Sequence, residues 1–205
     1  MNIITISREF GSGGRELGKR LADILGYDYY DREILTAISQ KQGLDEQYID
    51  DMLSRNIWRN ISLTYGHSFA SSVLLEQQTS LIFEQTNIIR EIAKTGKDCI
   101  IIGRNADDLL EEYSPFNIFV CADMEAKIDR CIERAENGEK LTRKDIEQNI
   151  RRIDKNRART RQIVSDIKWG DRKAYHLIVN TTDWNMKELA PVVADYAKAW
   201  IGRTR

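Results

Sequence analysis

Ile3-Ile4-Thr5-Ile6-Ser7-Arg8-Glu9-Phe10-Gly11-Ser12-Gly13-Gly14-Arg15-Glu16-Leu17-Gly18 opens with a β-branched apolar run, passes through a glycine-rich turn and enters a helical pattern continued by Leu21, Ile24 and Leu25. Strand, glycine loop and helix in that order are the layout of a phosphate cradle. Backbone N–H groups without a Cβ in the way can close around an anion, and the helix N-terminus adds partial positive charge. The stretch does not follow the phosphate-loop pattern G-x-x-x-x-G-K-[ST], because the Lys-Ser/Thr pair is missing. Nor does it follow G-x-G-x-x-G, because Glu16 stands where the third glycine belongs. Glycine turns between strand and helix also arise from packing alone, since glycine adopts positive φ without steric cost. Spacing leaves both readings open.

Working outward, apolar or β-branched runs recur at 3–7, 27–30, 99–103, 117–122 and 176–181, with helical stretches between them. That alternation predicts an α/β domain built on a five-stranded parallel sheet. Ile100-Ile101-Ile102 and Ile118-Phe119-Val120 are continuous rather than alternating, as expected of strands buried on both faces. Residues 33–97 carry helical periodicity and no strand signal, with Ile49, Leu53 and Ile57 on one stripe and Ile82, Ile88, Ile89 and Ile92 on another. This is too long for a simple crossover. It reads as a helical insertion packed over one edge of the sheet, with a break within 62–72 around Tyr65-Gly66-His67. It would form either a cleft wall or a partner-facing helical pair, and its apolar stripe is compatible with a homodimer. A helix is expected over 124–136, stopped by Asn137-Gly138, and a second over 141–164 with Ile146, Ile150 and Ile153 as its packing stripe. Pro115 and Pro191 are expected to bracket the fourth strand and the last helix.

Composition narrows the classes. The chain of 205 residues is 41% hydrophobic and 31% charged, which fits one folded domain rather than a disordered chain. No run approaches the ~18 apolar residues of a membrane span, and Arg8-Glu9 interrupt the only N-terminal run that could serve as a leader. Cys99, Cys121 and Cys131 have no metal spacing, and His67 and His176 are far apart, so neither disulfides, a zinc site nor a Ser-His-Asp triad is expected. A cytoplasmic location follows from the same reading. Net charge is −1, so no global field draws in nucleic acid. Charge is nevertheless clustered: 143–161 holds Arg143, Lys144, Arg151, Arg152, Lys155, Arg157, Arg159 and Arg161 against Asp145, Glu147 and Asp154. Such a face is either solvated surface or an anion site.

The glycine loop follows the first strand, Gly103-Arg104 follows the third, and the arginine-rich helix precedes the fifth. In an open α/β sheet the carboxyl ends of the strands face one crevice, so all three can surround one polyphosphate. With these residues the sequence resembles the cytidylate kinase-like family, relatives of bacterial cytidylate kinase in the P-loop nucleoside monophosphate kinase superfamily. The resemblance runs in order through 4–16, Tyr29-Tyr30-Asp31-Arg32-Glu33-Ile34, Ile100-Ile101-Ile102-Gly103-Arg104, Arg151-Arg152-Ile153-Asp154-Lys155-Asn156-Arg157-Ala158, Lys168-Trp169-Gly170-Asp171 and Tyr175-His176-Leu177. It implies a three-layer P-loop kinase fold in a single domain over 1–205, with a core of 1–32, 98–136 and 166–205. A helical NMP-binding insertion would occupy about 33–97 and a lid about 137–165.

The same resemblance implies an ATP-dependent phosphotransferase using Mg2+, with a nucleoside monophosphate such as CMP or dCMP as acceptor and no nucleic-acid or membrane partner. Gly11, Ser12, Gly13, Gly14, Arg15 and Glu16 would hold the donor. Arg15, Arg104, Arg152 and Arg157 would carry catalysis. Asp31, Arg90, Arg104, Arg151, Asp154 and Arg157 would bind the acceptor. The family's loop lysine aligns with Gly14 and its Mg2+-binding Ser/Thr with Glu16. Arg15 is therefore the expected stand-in for the lysine. Glu16 is either a metal ligand or an ordinary first-turn helix residue. Asn105 replaces an aspartate, Arg32-Glu33 a Ser/Thr-Gly pair and Ala37 an acceptor arginine. Those departures keep open a non-catalytic nucleotide- or anion-binding module, a kinase of a non-nucleotide small molecule, and a nucleic-acid binder using the basic helix. Trp169 reads as a packed corner before the last strand, with stacking on a base as the alternative.

Overall fold

A computed structural model describes residues 1–54, 68–135 and 142–203 of the chain. Ile57, most of the expected break at 62–72, the Asn137-Gly138 stop and the first residues of the expected lid lie outside the described residues.

The run that opens the sequence is β1 (Ile3–Arg8), and the helical pattern after the glycines is α1 (Gly14–Leu25). There follow β2 (Asp28–Tyr30), α2 (Glu33–Gln42), α3 (Glu46–Ser54), α4 (Ser68–Lys94), β3 (Cys99–Ile102), α5 (Ala106–Leu109) and β4 (Phe116–Cys121). The chain ends with α6 (Met124–Arg134), α7 (Arg143–Val164), β5 (Leu177–Asn180) and α8 (Met186–Arg203). The strands form one parallel sheet in the order β2-β3-β1-β4-β5. All five runs expected from the sequence are strands.

The two covered faces of β1 and β3 explain the unbroken Ile100-Ile101-Ile102 run and the isoleucines at 3, 4 and 6. Ile4, Ile6, Ile100 and Ile102 point into one cluster with Leu17 and Leu21 of α1, Phe116, Ile118 and Val120 of β4, and Leu189 and Val193 of α8. Ile3, Cys99 and Ile101 point the other way, into Ile34, Ile38, Ile49, Met52, Leu81 and Ile89 of α2, α3 and α4. Strands covered on both sides need apolar residues at every position. The insertion therefore covers a face of the sheet rather than an edge. Its periodicity marked which side of each helix is apolar but not what that side meets.

α1 lies close to the sheet because of Gly18, where a Cβ would stand 2.5 Å from Cδ1 of Ile102 and 3.0 Å from Cδ1 of Ile6. α7 begins with a capping box, the Thr142 hydroxyl accepting from the Asp145 N–H and the Asp145 carboxylate accepting from the Thr142 N–H. Pro191 does not bracket α8 but lies inside it, because the helix already starts at Met186. The connection after β1 leads toward β2 on one side of the sheet, and the one after β3 leads to β4 on the other. Their carboxyl ends thus flank a crevice between β1 and β3. Among the described residues, no helix is long and apolar enough to cross a membrane.

Candidate active site

The loop between β1 and α1 is shaped by left-handed glycines, Gly11 at φ 76° and Gly13 at φ 79°. Packing demands glycine here as well. A Cβ on Gly11 would stand 2.9 Å from the Lys127 carbonyl oxygen, and one on Gly14 would stand 2.6 Å from Cβ of Arg8. The Ser12 hydroxyl is buried and donates to the Glu9 carbonyl at 2.8 Å, while the Ser12 carbonyl accepts from the Thr181 hydroxyl at 2.7 Å. Ser12 thus fixes the loop from within. Buried Lys127 of α6 donates to Glu9 at 2.8 Å, and the Phe10 N–H donates to Asp154 of α7 at 2.7 Å. Packing and anion-cradle readings of the loop therefore do not compete, since the same glycines serve both.

Arginines converge beside it. Arg8 at the end of β1 crosses the front of Gly103, and Arg15, Arg104 and Arg157 face the same crevice. Arg157 donates from Nη1 to the Arg8 carbonyl at 2.8 Å and to Asp154 at 3.3 Å. Its guanidinium lies 5.8 Å from the Phe10 ring centroid, a cation–π distance. Between Arg8 and Arg15 lies the carboxylate of Asp31, 2.5 Å from Arg15 Nε and 3.7 Å from Arg8 Nη2. Burial, then Arg157, brings Arg8 down to about 9, with Asp31 opposing. Arg8 stays cationic at pH 7. Burial also lowers Arg157, against the pull of Asp154, and raises Asp154, against its hydrogen bond from Phe10.

Two of the cavities that open on this group take in Arg8 and Arg157. One, of about 460 Å³, lies over the glycine loop and is lined by Gly11, Gly13, Gly14, α6 and the start of α7. The other, of about 370 Å³, lies between β3, α3, α4 and α7, and takes in Arg32, Gln85, Arg104, Arg152 and Trp169. Arg8, Phe10, Arg15 and Arg157 line both. Among the described residues, six arginines line the second, Arg8, Arg15, Arg32, Arg104, Arg152 and Arg157, against the one carboxylate of Asp50. Trp169 packs edge-on against Phe119 at 5.2 Å, as the packed corner expects, and it also lines this cavity.

The site residues expected from the sequence divide. Gly11, Gly13, Gly14, Arg15, Arg104, Arg152 and Arg157 border a cavity. Asp31 and Glu16 border a third, more open cavity with Arg15 and Arg32, and Asp154 holds the loop through the Phe10 N–H. Arg151 turns outward to Glu147 at 2.7 Å, and Arg90 is exposed on α4 away from both cavities. Glu16 does not fit a metal ligand. Its oxygens already accept from Arg20 at 2.9 Å and Arg134 at 2.5 Å, the pairing expected of a first-turn acid on a helix surface. The described residues contain no cluster of three or more His, Cys, Asp or Glu that could hold a metal by themselves.

Three features escaped the sequence reading. Arg8 stands at the centre of the arginine group. Gly103, Arg104 and Asn105 form a consecutive left-handed run, with φ of 66°, 59° and 55°. Such a conformation costs roughly 1–2 kcal/mol at each non-glycine residue. It turns Arg104 into the second cavity, where Asp50 holds Nη1 at 3.0 Å and Gln85 donates to its carbonyl at 3.4 Å. Arg161, counted with the basic face of its helix, is instead buried against Asp107 at 2.8 Å.

The sequence profile of the Cytidylate kinase-like family matches residues 3–183. A cytidylate kinase from Haloarcula marismortui is 23% identical over 190 residues, spanning 89% of this chain and 82% of its own. Among solved structures, an uncharacterized protein from Eubacterium ventriosum superposes with a TM-score of 0.70 at 22% identity, covering 97% of this chain and 99% of the other. A shikimate kinase from Acinetobacter baumannii, solved with shikimate, superposes with a TM-score of 0.56 at 16% identity, over 97% and 94%. The likenesses identify the sheet and its helices as the kinase fold expected from the sequence.

Proposed function

The chain belongs to the cytidylate kinase-like family, and from that premise we propose that it is an ATP-dependent phosphotransferase acting on a nucleoside monophosphate such as CMP or dCMP. The observation that carries this reading is the meeting of two cavities at one arginine group. Phosphoryl transfer needs a donor and an acceptor brought end to end, with positive charge where they touch. ATP would place its phosphates over Gly11 to Gly14. The acceptor would lie in the second cavity, its phosphate held by Arg104, Arg152 and Arg157. Arginine suits the task because it stays charged and meets phosphate through two N–H groups. Gln47, Gln85, Asn105 and Asn156 offer donors and acceptors for a base, and Phe10 and Trp169 offer aromatic faces.

In this reading an acceptor phosphate oxygen attacks the γ-phosphorus. The bond from that phosphorus to the bridging oxygen breaks, and ADP leaves with the electron pair. The attacking oxygen is already anionic, so no side chain has to remove a proton. The arginine forks spread over the equatorial oxygens as charge moves across them. Magnesium fits Asp31 better than Glu16, because Asp31 Oδ1 is buried without a hydrogen-bond partner among the described residues. Bound there, the ion would neutralise phosphate charge, and the phosphates and water would supply its remaining oxygen ligands. The insertion would be α2 to α4, and the lid would include α7.

A second reading has its own observation. No lysine or free Ser/Thr hydroxyl stands at the start of α1, as a nucleotide-binding module without transfer would allow. One assay separates the two: ADP release from ATP and Mg2+ with CMP, dCMP, UMP, AMP or GMP, the product confirmed by mass. The kinase reading expects transfer to at least one of these. It also expects Arg104→Ala to lower kcat/KM roughly 10- to 100-fold, the worth of one charge-assisted hydrogen bond, without lowering the melting temperature. ATP protection with no transfer to any acceptor would favour the module.

A further inference from the structure

We propose that Arg8 is the phosphate-binding cation of the glycine loop, occupying from the end of β1 the place that a lysine at the start of α1 would fill. The proposal rests on the phosphotransferase reading above and names a residue that reading leaves open.

Three observations carry it. First, Arg8 and a side chain at position 14 exclude one another: a Cβ on Gly14 would stand 2.6 Å from Cβ and 3.1 Å from Cγ of Arg8. The residue that stands where the loop lysine would be is thus the one that must be glycine for Arg8 to lie there. Secondly, the far end of Arg8 is given room in the same way. A Cβ on Gly103 would stand 1.8 Å from Arg8 Nη1. Two glycines, one opening α1 and one following β3, clear a path for one side chain.

Thirdly, the guanidinium lacks a close partner. Its nearest carboxylate among the described residues is Asp31 at 3.7 Å, beyond hydrogen-bond reach, and Asp31 is held more tightly by Arg15 at 2.5 Å. Arg8 nevertheless has a side chain only 14% exposed, and Arg157, Arg104 and Arg15 all act on it as like charges. A weakly paired cation crowded by cations calls for an anion. It lines both cavities, so that anion lies where donor and acceptor phosphates would meet. Arg15, engaged with Asp31 and 56% exposed, is the weaker candidate.

The test measures thermal protection and calorimetric affinity for two probes, inorganic pyrophosphate and a non-hydrolysable ATP analogue, on wild type, Arg8→Met and Arg15→Ala. Both probes should raise the wild-type melting temperature. Arg8→Met should weaken each by at least tenfold, and Arg15→Ala by less than threefold. Without a probe, Arg8→Met should melt no lower than wild type, since it removes like-charge crowding. A purely structural arginine would do the opposite, lowering the unliganded melting temperature and leaving both affinities within threefold, and that result overturns the proposal. So does a wild type that neither probe protects. Should Arg8→Met not fold, Arg8→Lys decides, with at least a threefold loss expected and unchanged affinity overturning. Arg8-dependent protection by pyrophosphate, without transfer to any nucleotide, would sink the kinase reading and leave this one standing. Transfer by Arg8→Met at wild-type kcat/KM would do the reverse.

Discussion

Gly103 is required twice over, and the two requirements can be measured apart. Its φ of 66° favours glycine, and a Cβ there would displace Arg8. Gly43 has a nearly equal φ of 64° with no atom within 4 Å of a Cβ, so it reports the conformational cost alone. Gly43→Ala should cost about 1–2 kcal/mol in urea unfolding and leave pyrophosphate binding untouched. Gly103→Ala should cost at least as much and weaken pyrophosphate as Arg8→Met does. Equal behaviour of the two variants would mean that Arg8 has no fixed course past residue 103. Arg8 itself stood in plain view in the sequence, next to the glycine loop. Its importance was not legible there, because the sign of it is a pair of glycines, 14 and 103, that meet only around its side chain. Glu16 carried two readings, a metal ligand or a first-turn helix residue. Its carboxylate suited a metal, and only the placement of Arg20 and Arg134 shows it occupied.

Helix α7 carries its arginines to three different ends. Arg151 is solvated, Arg152 and Arg157 line cavities, and Arg161 is buried. Periodicity located two residues of the apolar stripe, since Ile146 and Ile150 pack on Ile128, whereas Ile153 lines the second cavity. It could not sort the arginines, because their partners come from other elements. Arg161 Nη1 meets Asp107 at 2.8 Å, Nη2 meets Asp108 at 3.4 Å, and Nε donates to the Ile167 carbonyl at 3.3 Å. Side chains of the Arg161–Asp107 pair are only 3% and 2% exposed. This pair fastens the C-terminal part of α7 to α5, directly after the left-handed run that aims Arg104. Asp107→Ala should leave the buried guanidinium only its longer contact to Asp108 and cost about 3 kcal/mol in urea unfolding. Adding Arg161→Met should recover much of that loss, since an apolar pair needs no compensation. A single variant as stable as wild type would mean the pair is not a fastening.

At the scale of the molecule, a net charge of −1 conceals a cavity lined by six arginines. Composition argued against a general polyanion surface, and the arginines it did not localise are gathered at one crevice. Strand count and sheet class were readable because doubly covered strands leave unbroken apolar runs. Strand order was not, since which runs become neighbours depends on crossovers that no local pattern encodes. That order has a consequence for how the chain is made. β1 is the central strand, yet its neighbours are β3 and β4, with Ile3 beside Cys99 and Ile4 beside Phe116. On a ribosome adding roughly 5–20 residues per second, β1 would wait on the order of 5–20 s after emerging for a strand to pair with. Nascent chains stalled with residues 1–98 outside the exit tunnel should be cut by protease throughout β1, and chains stalled with 1–203 outside should resist. Protection of the shorter chain would mean that α1 to α4 hold β1 before the sheet exists. Otherwise the central strand of the protein spends its first seconds as a client for whatever waits at the tunnel mouth.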